Sequence, residues 1–312
     1  MSTAFEGVLP ALITPFTDDG SAVDAAAFSE LVERCVTAGV SGLVATGSTG
    51  EFTTLSHDER RRATEIVVAA AAGRVPTVAG TGAPSTRETI ELSVHAEEAG
   101  AAAVMIVPPF YTPLPCDELL AHFAVVADRI SIPIMYYNLP SATGVTLTGA
   151  RLAELKRVAG VTSFKDTGGD AIAATAFFQS DEDLPVLLNG YDTLTFASLA
   201  AGVRGVVWGA ASFIPGPCVE LHRLLIEQHD LVAARSLWAR LWPICAFLES
   251  VDYAAGVKAA CRHVGLSTGP VRPPAIDLPP DQRAELGRLI DRVGSATVAA
   301  TRRPPVTTAG TG

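Results

Sequence analysis

Short apolar segments alternate with longer amphipathic segments through most of this 312-residue chain. The apolar segments are rich in Val, Ile and Leu without strict alternation, which is typical of strands covered on both faces of a parallel sheet. Eight such strands are predicted, over residues 8–13, 42–46, 77–80, 103–107, 134–137, 161–165, 186–188 and 205–208. Eight strand–helix repeats predict an α/β fold, a closed (β/α)8 TIM barrel, with an open doubly wound sheet as the alternative.

The segments between the strands carry helix boundary signals. Three predicted helices each end before a glycine, namely 24–38, 57–72 and 85–99. After residue 230 the strand pattern stops, and three further helices are predicted, over 231–248, 253–264 and 281–300. The predicted organisation is therefore a barrel over 1–230, a C-terminal helical extension over 231–300 and a flexible, Pro- and Gly-rich tail over 301–312.

Composition and charge exclude several functional classes. The net charge of −10 argues against nucleic acid as a partner, because phosphates attract clustered Lys and Arg. The one basic run, 60–62, lies in a helical pattern and is interpreted as a solvated face. The most apolar window, 196–215, carries Arg204 at its centre, which favours a buried helix and strand over a membrane span.

The cysteines and histidines indicate a cytoplasmic protein without a metal site. None of the five cysteines forms a C-x-x-C pair, so they are interpreted as reduced thiols. The six histidines lack the spacing of metal ligands. The N-terminus also lacks a basic flank followed by an apolar stretch, so no secretory signal is predicted.

Candidate functional residues follow from the barrel prediction, because active sites in such barrels lie at the carboxyl ends of the strands. Lys165 ends the sixth strand, where desolvation favours a neutral, nucleophilic amine. The alternative is a lysine that reaches solvent or pairs with Asp166. Tyr137 ends the fifth strand and offers a phenol for proton transfer, or else is a core aromatic with its hydroxyl at the rim.

A third candidate is the turn at 47–51, with the sequence GSTGE, after the second strand. Its small residues could turn backbone N–H groups toward a carboxylate or phosphate. The alternative is a Gly-rich connection without a ligand. An amine, a phenol and an anion cradle at one end of the barrel together predict a catalytic site.

Six motifs at these positions resemble one known family. They are GSTGE at 47–51, LSHDE at 55–59, AGTGA at 79–83, PPFY at 108–111, YNLPSATG at 137–144 and FKDTGGD at 164–170. In order and spacing they are similar to the dihydrodipicolinate synthase/N-acetylneuraminate lyase family of Schiff-base-forming class I aldolases. The resemblance covers about residues 7–274 and implies the barrel fold, a lyase activity and no cofactor.

The resemblance also implies catalytic roles. Lys165 would form the Schiff base with pyruvate or another 2-oxo acid, and Tyr137 would transfer protons. Ser48 would hydrogen-bond Tyr137. Tyr111 would act in the site of a neighbouring subunit, so the resemblance implies a homotetramer or at least a dimer.

The implied substrate-binding positions lie on the same strand ends. Thr49, with the backbone of Gly47 and Gly50, would hold the carboxylate of the 2-oxo acid. The carbonyl of Gly190 would contact the bound keto acid, and Asp192 follows in a segment that resembles the sialic-acid lyase branch.

Three positions depart from the family patterns and bear on the substrate. Ala142 stands where the family's dihydrodipicolinate synthases carry an arginine for the second substrate. Thr193 replaces a sugar-binding glutamate, and Trp208 replaces a small polar residue and is expected to narrow the space for a polyol. The predicted function is a pyruvate-type class I aldolase or lyase that joins a 2-oxo acid to a short or apolar aldehyde. The alternatives are a dihydrodipicolinate synthase, a 2-keto-3-deoxy sugar acid dehydratase and a non-catalytic 2-oxo acid sensor.

Feedback inhibition by lysine is not expected. The family's lysine-binding pattern is incomplete, because His57 and Glu88 match it whereas Pro84 replaces an asparagine and Phe110 a tyrosine.

Overall fold

Eight parallel strands form a barrel in the computed structural model, which describes residues 5–300. The strands are β1 Gly7–Pro10, β2 Leu43–Ala45, β3 Thr77–Gly80, β4 Ala103–Ile106, β5 Ile134–Asn138, β6 Val161–Asp166, β7 Val186–Asn189 and β8 Gly205–Trp208. They are hydrogen-bonded in the order β1-β8-β7-β6-β5-β4-β3-β2. The Leu12 N–H donates to the Val44 carbonyl at 2.9 Å and closes the remaining gap between β1 and β2. The closed barrel is confirmed, and the open sheet is wrong.

Helices follow the strands and continue beyond the eighth. They are α1 Ala25–Thr37, α2 His57–Ala71, α3 Thr86–Glu98, α4 Cys116–Ala127, α5 Pro140–Thr143, α6 Gly149–Ala159, α7 Ala171–Phe178, α8 Thr195–Ala200, α9 Pro215–His222, α10 Leu231–Glu249, α11 Tyr253–His263 and α12 Pro280–Ala300. The bounds of the six helices predicted from the sequence agree with those of the structure to within one or two residues. Their caps explain the agreement, since the Asp24 carboxylate accepts from the N–H groups of Ala26 and Ala27 at 3.0 Å.

The core has an inner and an outer layer around the strands. Val44, Val78, Met105 and Val207 pack on one another inside the barrel, together with other residues of the strands. Their strand neighbours face outward, where Trp208 packs against the surrounding helices. Successive residues of a strand therefore point to the interior and to the helices in turn. This alternation decides which strand-end residues can reach a site at the mouth of the barrel.

The helices after residue 230 pack on the barrel. Helix α10 is long and apolar enough to cross a membrane by length and composition, and it is the one helix of the described residues with that property. Its side chains Leu237, Leu241, Ile244 and Leu248 recur at helical spacing and are buried in the outer core. We therefore interpret α10 as a core helix. The boundary at residue 230 stays a prediction, and the predicted tail 301–312 lies outside the described residues.

The basic run at 60–62 is not a solvated face throughout. Arg60 is 5% exposed, and its guanidinium donates to the carbonyls of Gly80 at 2.8 Å and Gly82 at 3.0 Å. It also lies over the Phe52 ring, 5.0 Å from its centroid. The expectation is wrong for Arg60, because it is on the side of α2 that faces the carbonyl groups at the end of β3.

Candidate active site

Lys165 lies near the end of β6, in register with Tyr137 of the neighbouring β5. Both side chains are buried, and the Lys165 Nζ lies 4.1 Å from the centroid of the Tyr137 ring. Asp166 accepts instead from the Asn138 amide at 2.7 Å and the Gly168 N–H at 3.0 Å. Across residues 5–300, no carboxylate lies within 4 Å of the Lys165 Nζ. The pairing of Lys165 with Asp166 is therefore wrong.

Gly190 makes room for the lysine. A Cβ atom at position 190 would lie 2.6 Å from Cε of Lys165 and 2.5 Å from Oγ1 of Thr167. Both distances are shorter than real Cβ contacts, so a larger residue would displace the lysine. The same hydroxyl of Thr167 donates to the Gly190 carbonyl at 3.3 Å, which orients the backbone at the position predicted to contact a keto acid.

The predicted anion cradle is a short 3-10 turn over Ser48–Gly50. The Gly50 N–H donates to the Gly47 carbonyl at 3.0 Å, whereas the first N–H groups of such a turn have no partner within it. Thr46, with φ at 53°, precedes the turn. A β-branched residue rarely adopts this left-handed conformation, and such strain concentrates at ligand-binding and catalytic turns. Geometry and strain both support a binding role for the turn.

A cavity of about 300 Å³ joins these elements at the mouth of the barrel. Its walls are formed by Ala11, Ser48, Thr49, Tyr137, Leu139, Ser141, Lys165, Thr167, Gly190, Tyr191, Asp192, Val207, Gly209, Glu249 and Tyr253. Six of the residues predicted from the sequence thus share one cavity. Gly47 lines a small void beside it, and Gly50 packs behind the turn against the Leu12 carbonyl.

The predicted hydrogen bond between Ser48 and Tyr137 is absent from the hydrogen bonds of residues 5–300. Ser48 is the first residue of the turn and its side chain is exposed, while the Tyr137 ring packs beside Lys165. Both residues line the same cavity, without a hydrogen bond between them.

Trp208 does not narrow the cavity, which corrects the expectation from the sequence. Its side chain is 1% exposed and lies in the outer core, where its ring centroid is 6.3 Å from that of Trp238. The preceding residue, Val207, lines the cavity. The alternation along β8 places one of the two inside, and it is the smaller one.

Two other predicted residues lie outside the cavity. Tyr111 follows β4 and is 93% exposed. Ala142 is an exposed residue of α5, whereas its neighbour Ser141 lines the cavity. Neither residue contributes to the cavity wall of the single chain.

Among the cavity residues that the sequence did not predict, two belong to the helical extension. Glu249 ends α10 and Tyr253 begins α11, so the helical extension forms one wall of the site. The Tyr253 hydroxyl donates to Oδ2 of Asp192 at 2.8 Å. Burial raises the pKa of Asp192 to about 7. No local motif marks these helix positions, and the strand-end rule does not cover them.

The side chains that could coordinate a metal ion are not grouped into a metal centre in the described residues. Across the described part of the chain, no three His, Cys, Asp or Glu side chains are grouped so that they could hold a metal ion.

A buried lysine and tyrosine beside a short turn, at the mouth of a (β/α)8 barrel, are an arrangement suited to a carbon–carbon lyase. The dihydrodipicolinate synthetase family matches residues 4–293, so the chain belongs to this family of pyruvate-dependent class I aldolases. It is therefore an enzyme of the lyase type.

Relatives in sequence and solved structures match nearly the whole length of the chain. The 4-hydroxy-tetrahydrodipicolinate synthase of Methanopyrus kandleri is 40% identical over 298 residues, which cover 94% of this chain and 98% of that protein. The enzyme of the same name from Hyphomonas neptunium is 38% identical, with coverage of 90% and 95%. YagE, a prophage protein of E. coli K12 solved in complex with pyruvate, superimposes with a TM-score of 0.87 at 30% identity, covering 93% and 99% of the two chains.

Proposed function

We propose that this enzyme forms a Schiff base between Lys165 and pyruvate or a related 2-oxo acid, and then makes or cleaves a carbon–carbon bond to an aldehyde. The burial of Lys165 at the cavity, against Tyr137 and without a carboxylate partner within 4 Å, is the main observation in its support. An amine in that environment is a nucleophile toward a ketone.

The proposed reaction begins with attack of the neutral Lys165 amine on the keto carbon. The carbinolamine formed takes a proton on its hydroxyl and loses water, which leaves an iminium ion. Loss of a proton from the methyl carbon then gives an enamine, and its carbon attacks the aldehyde while the aldehyde oxygen takes up a proton. Water finally hydrolyses the imine and releases the product and the free lysine. Cleavage is the reverse sequence.

Tyr137 is the proposed group for these proton transfers, because its ring packs beside the Lys165 amine and lines the cavity. The N–H groups at Ser48 and Thr49, with the Thr49 side chain, are the proposed cradle for the 2-oxo acid carboxylate.

The proposed aldehyde is not aspartate semialdehyde. Ala142 supplies no guanidinium, and Lys165 is the one basic residue among the described residues that line the cavity. A lost charge-assisted contact costs about 1.5–3 kcal/mol, or roughly ten- to a hundredfold in rate. The names of the relatives favour the alternative, 4-hydroxy-tetrahydrodipicolinate synthesis. Turnover of pyruvate with aspartate semialdehyde at kcat/KM of about 10⁴ M⁻¹s⁻¹ or above would establish that alternative.

We also propose a homotetramer, or at least a dimer, in the cytoplasm. The exposed Tyr111 ring supports an assembly in which it completes a neighbour's site, and five free thiols support a reducing compartment. Tyr111→Phe is expected to lower kcat with little effect on folding. Sedimentation of a fully active monomer would contradict the assembly.

Borohydride trapping tests the proposed chemistry. Reduction in the presence of pyruvate should add the mass of the reduced adduct to Lys165, as located by peptide mass spectrometry. Lys165→Ala, checked for folding by circular dichroism, should show no adduct. If the folded parent protein also gives none at Lys165, the proposed mechanism is wrong and a 2-oxo acid sensor becomes the better interpretation.

A further inference from the structure

The turn after β2, which spans Ser48–Gly50, is held from behind by the helical extension. Glu51 follows the turn in a left-handed conformation, with φ at 55°, and its N–H donates to the Ser48 carbonyl at 3.0 Å. Oε1 of Glu51 lies 2.5 Å from Nζ of Lys258, and Oε2 accepts from the backbone N–H of Arg272 at 2.9 Å. Both oxygens of this carboxylate are therefore engaged by residues of the extension.

Lys258 has a fixed position in the interior of the protein. Its side chain is fully buried on α11, and the ammonium donates to the Pro270 carbonyl at 2.9 Å. Nζ also lies 3.9 Å from the centroid of the Phe16 ring. A buried ammonium keeps its charge only with such partners, so Lys258 cannot move without losing them. The Glu51 carboxylate is thus paired with a cation that is itself held in place.

The front of the turn faces the cavity, which Ser48 and Thr49 line. On the barrel side, the Thr14 hydroxyl donates to the Gly50 carbonyl at 2.8 Å. The turn is therefore held at Gly50 by the loop after β1, and at the next residue by the extension. A displacement of Glu51 would also displace Thr49, and a misplacement of about 1 Å is enough to slow an enzyme strongly.

Charge gives a second reason for the pair. Neither Glu51 nor Lys258 is among the described residues that line the cavity. An unpaired Glu51 carboxylate would nevertheless place a negative charge directly after the turn proposed to hold the carboxylate of the 2-oxo acid. Such repulsion is weakly screened in a partly desolvated site, and Lys258 cancels it. Stability alone is a poor explanation, because apolar residues of similar size often replace a buried ion pair without loss.

We propose that Glu51 and Lys258 are positioning residues for the 2-oxo acid. The pair couples α11 to the turn after β2 and keeps the rear of the turn electrically neutral. It thereby sets the position of the N–H groups at Ser48 and Thr49 relative to Lys165. Neither residue of the pair touches the substrate. The inference rests on the proposed function, because it assigns the turn to the carboxylate of a substrate bound at Lys165.

The test compares pyruvate with pyruvamide, which has nearly the same size and the same keto group but no charge. Cyanoborohydride traps the imine of either compound at Lys165, and mass spectrometry of the protein follows the adduct as the concentration of the compound is varied. The parent enzyme is expected to be half-saturated by pyruvate at a concentration about ten- to a hundredfold lower than by pyruvamide. No aldehyde is present, so the second substrate does not affect the result.

Two variants test the pair. Lys258→Met removes the cation, leaves the Glu51 charge behind the turn, and should reduce the preference for pyruvate over pyruvamide by about tenfold. Glu51→Gln/Lys258→Met leaves no charge but releases the turn from α11, and should reduce the preference by about threefold. The maximal trapping rate should change little in either variant, because the Lys165 amine is not altered. Where Lys258→Met does not fold, the neutral double variant decides.

Leu155→Ala is the control that separates positioning from stability. Leu155 is fully buried on α6, in a part of the outer core that contains no residue of the turn or of the helical extension. The cavity left by the smaller side chain lowers the stability of the protein. The preference for pyruvate should nevertheless stay as in the parent. An equal fall in Leu155→Ala and in the double variant would show a general effect of lost stability and would contradict the proposal.

The same trapping experiment keeps this proposal separate from the proposed function. If the parent forms the adduct and the folded double variant keeps the full preference for pyruvate, the pair has no positioning role and the Schiff-base chemistry still stands. If the parent forms no adduct at Lys165 with either compound, the proposed function is wrong and this inference falls with it.

Discussion

Carboxyl groups are buried on two sides of the cavity, and their surroundings differ. Behind the turn after β2, the Glu51 carboxylate lies 2.5 Å from the Lys258 ammonium and accepts from the backbone N–H of Arg272 at 2.9 Å. In the wall of the cavity itself, Asp192 and Glu249 are held by neutral donors. One side is electrostatically compensated, and the other is not.

The compensated side has a structural explanation. The Lys258 side chain is fully buried, and its Nζ lies 3.9 Å from the centroid of the Phe16 ring. Arg272 contacts the same ring and forms a bidentate ion pair with Glu59. These contacts tie the helical extension to the back of the turn after β2. No part of this network lines the cavity.

The uncompensated side costs stability, because burying an unpaired carboxyl is unfavourable. It also faces the cavity. The difference suggests that charge pairing marks the part of the site that is held rigid, whereas unpaired acceptors mark the part that meets the substrate. Three predictions test this distinction.

The largest effect is expected from Lys258→Met, which leaves Glu51 buried without its ammonium partner. Removing one member of a buried ion pair typically costs about 3–5 kcal/mol in the free energy of unfolding, measured by urea denaturation. Lys156→Met is the control, because its ammonium pairs with the exposed Asp183 at the surface. Surface ion pairs contribute about 1 kcal/mol or less.

The double variant Glu51→Gln/Lys258→Met completes this test. It removes both charges and should recover part of the lost stability. A Lys258→Met variant as stable as the Lys156→Met control would show that the Glu51 pair is not needed for folding.

An intermediate, pH-dependent effect is expected from Asp192→Asn. The pKa of Asp192 rises from 3.8 to about 7 because of burial, so the folded protein binds this proton more tightly than the unfolded chain does. The protonated Asp192 carboxyl therefore contributes its full stability below pH 4, and this contribution is lost as the pH rises toward 7 and the group ionises. Asparagine stays neutral, so the variant should gain stability relative to the parent over this range, by at most about 1.4 kcal/mol per pH unit.

Thermal melts from pH 4 to 8 measure that difference, with the exposed Asp18→Asn as the control. The groups around Asp192 that carry or can acquire charge are Lys165, Cys218, Cys245, Glu249 and Tyr253. A stability difference that does not change with pH would mean that Asp192 is compensated after all, like Glu51.

The smallest effect is expected from free lysine, which tests whether the compensated side carries a ligand site. Phe52 and Phe110 pack edge to face there, with ring centroids 5.9 Å apart, and Arg60 covers Phe52. Pro84 supplies no amide side chain. Activity with saturating lysine should change by less than the roughly fivefold that marks a weak allosteric coupling. Strong inhibition at millimolar lysine would contradict this expectation.

Local signals in the sequence were sufficient for the architecture and for the centre of the site. Hydrophobic runs and caps such as Asp24 depend on neighbours within a few residues, so strand and helix positions were predictable. Closure of the barrel then brings the ends of β2, β5 and β6 together, which is why Lys165, Tyr137 and Ser48 could be assigned to one site.

The sequence by itself therefore determined the repeat, the barrel and the strand-end residues of this protein. Tertiary structure decided that Trp208 faces the helices, that Arg60 is buried and that Glu249 and Tyr253 enter the cavity. Whether a strand-end side chain points into the barrel or toward the helices depends on the register of the closed sheet. Whether residues of α10 and α11 line the cavity depends on how these helices pack against the barrel. Neither is encoded in the residues nearby, because both are set by contacts between segments far apart in the chain.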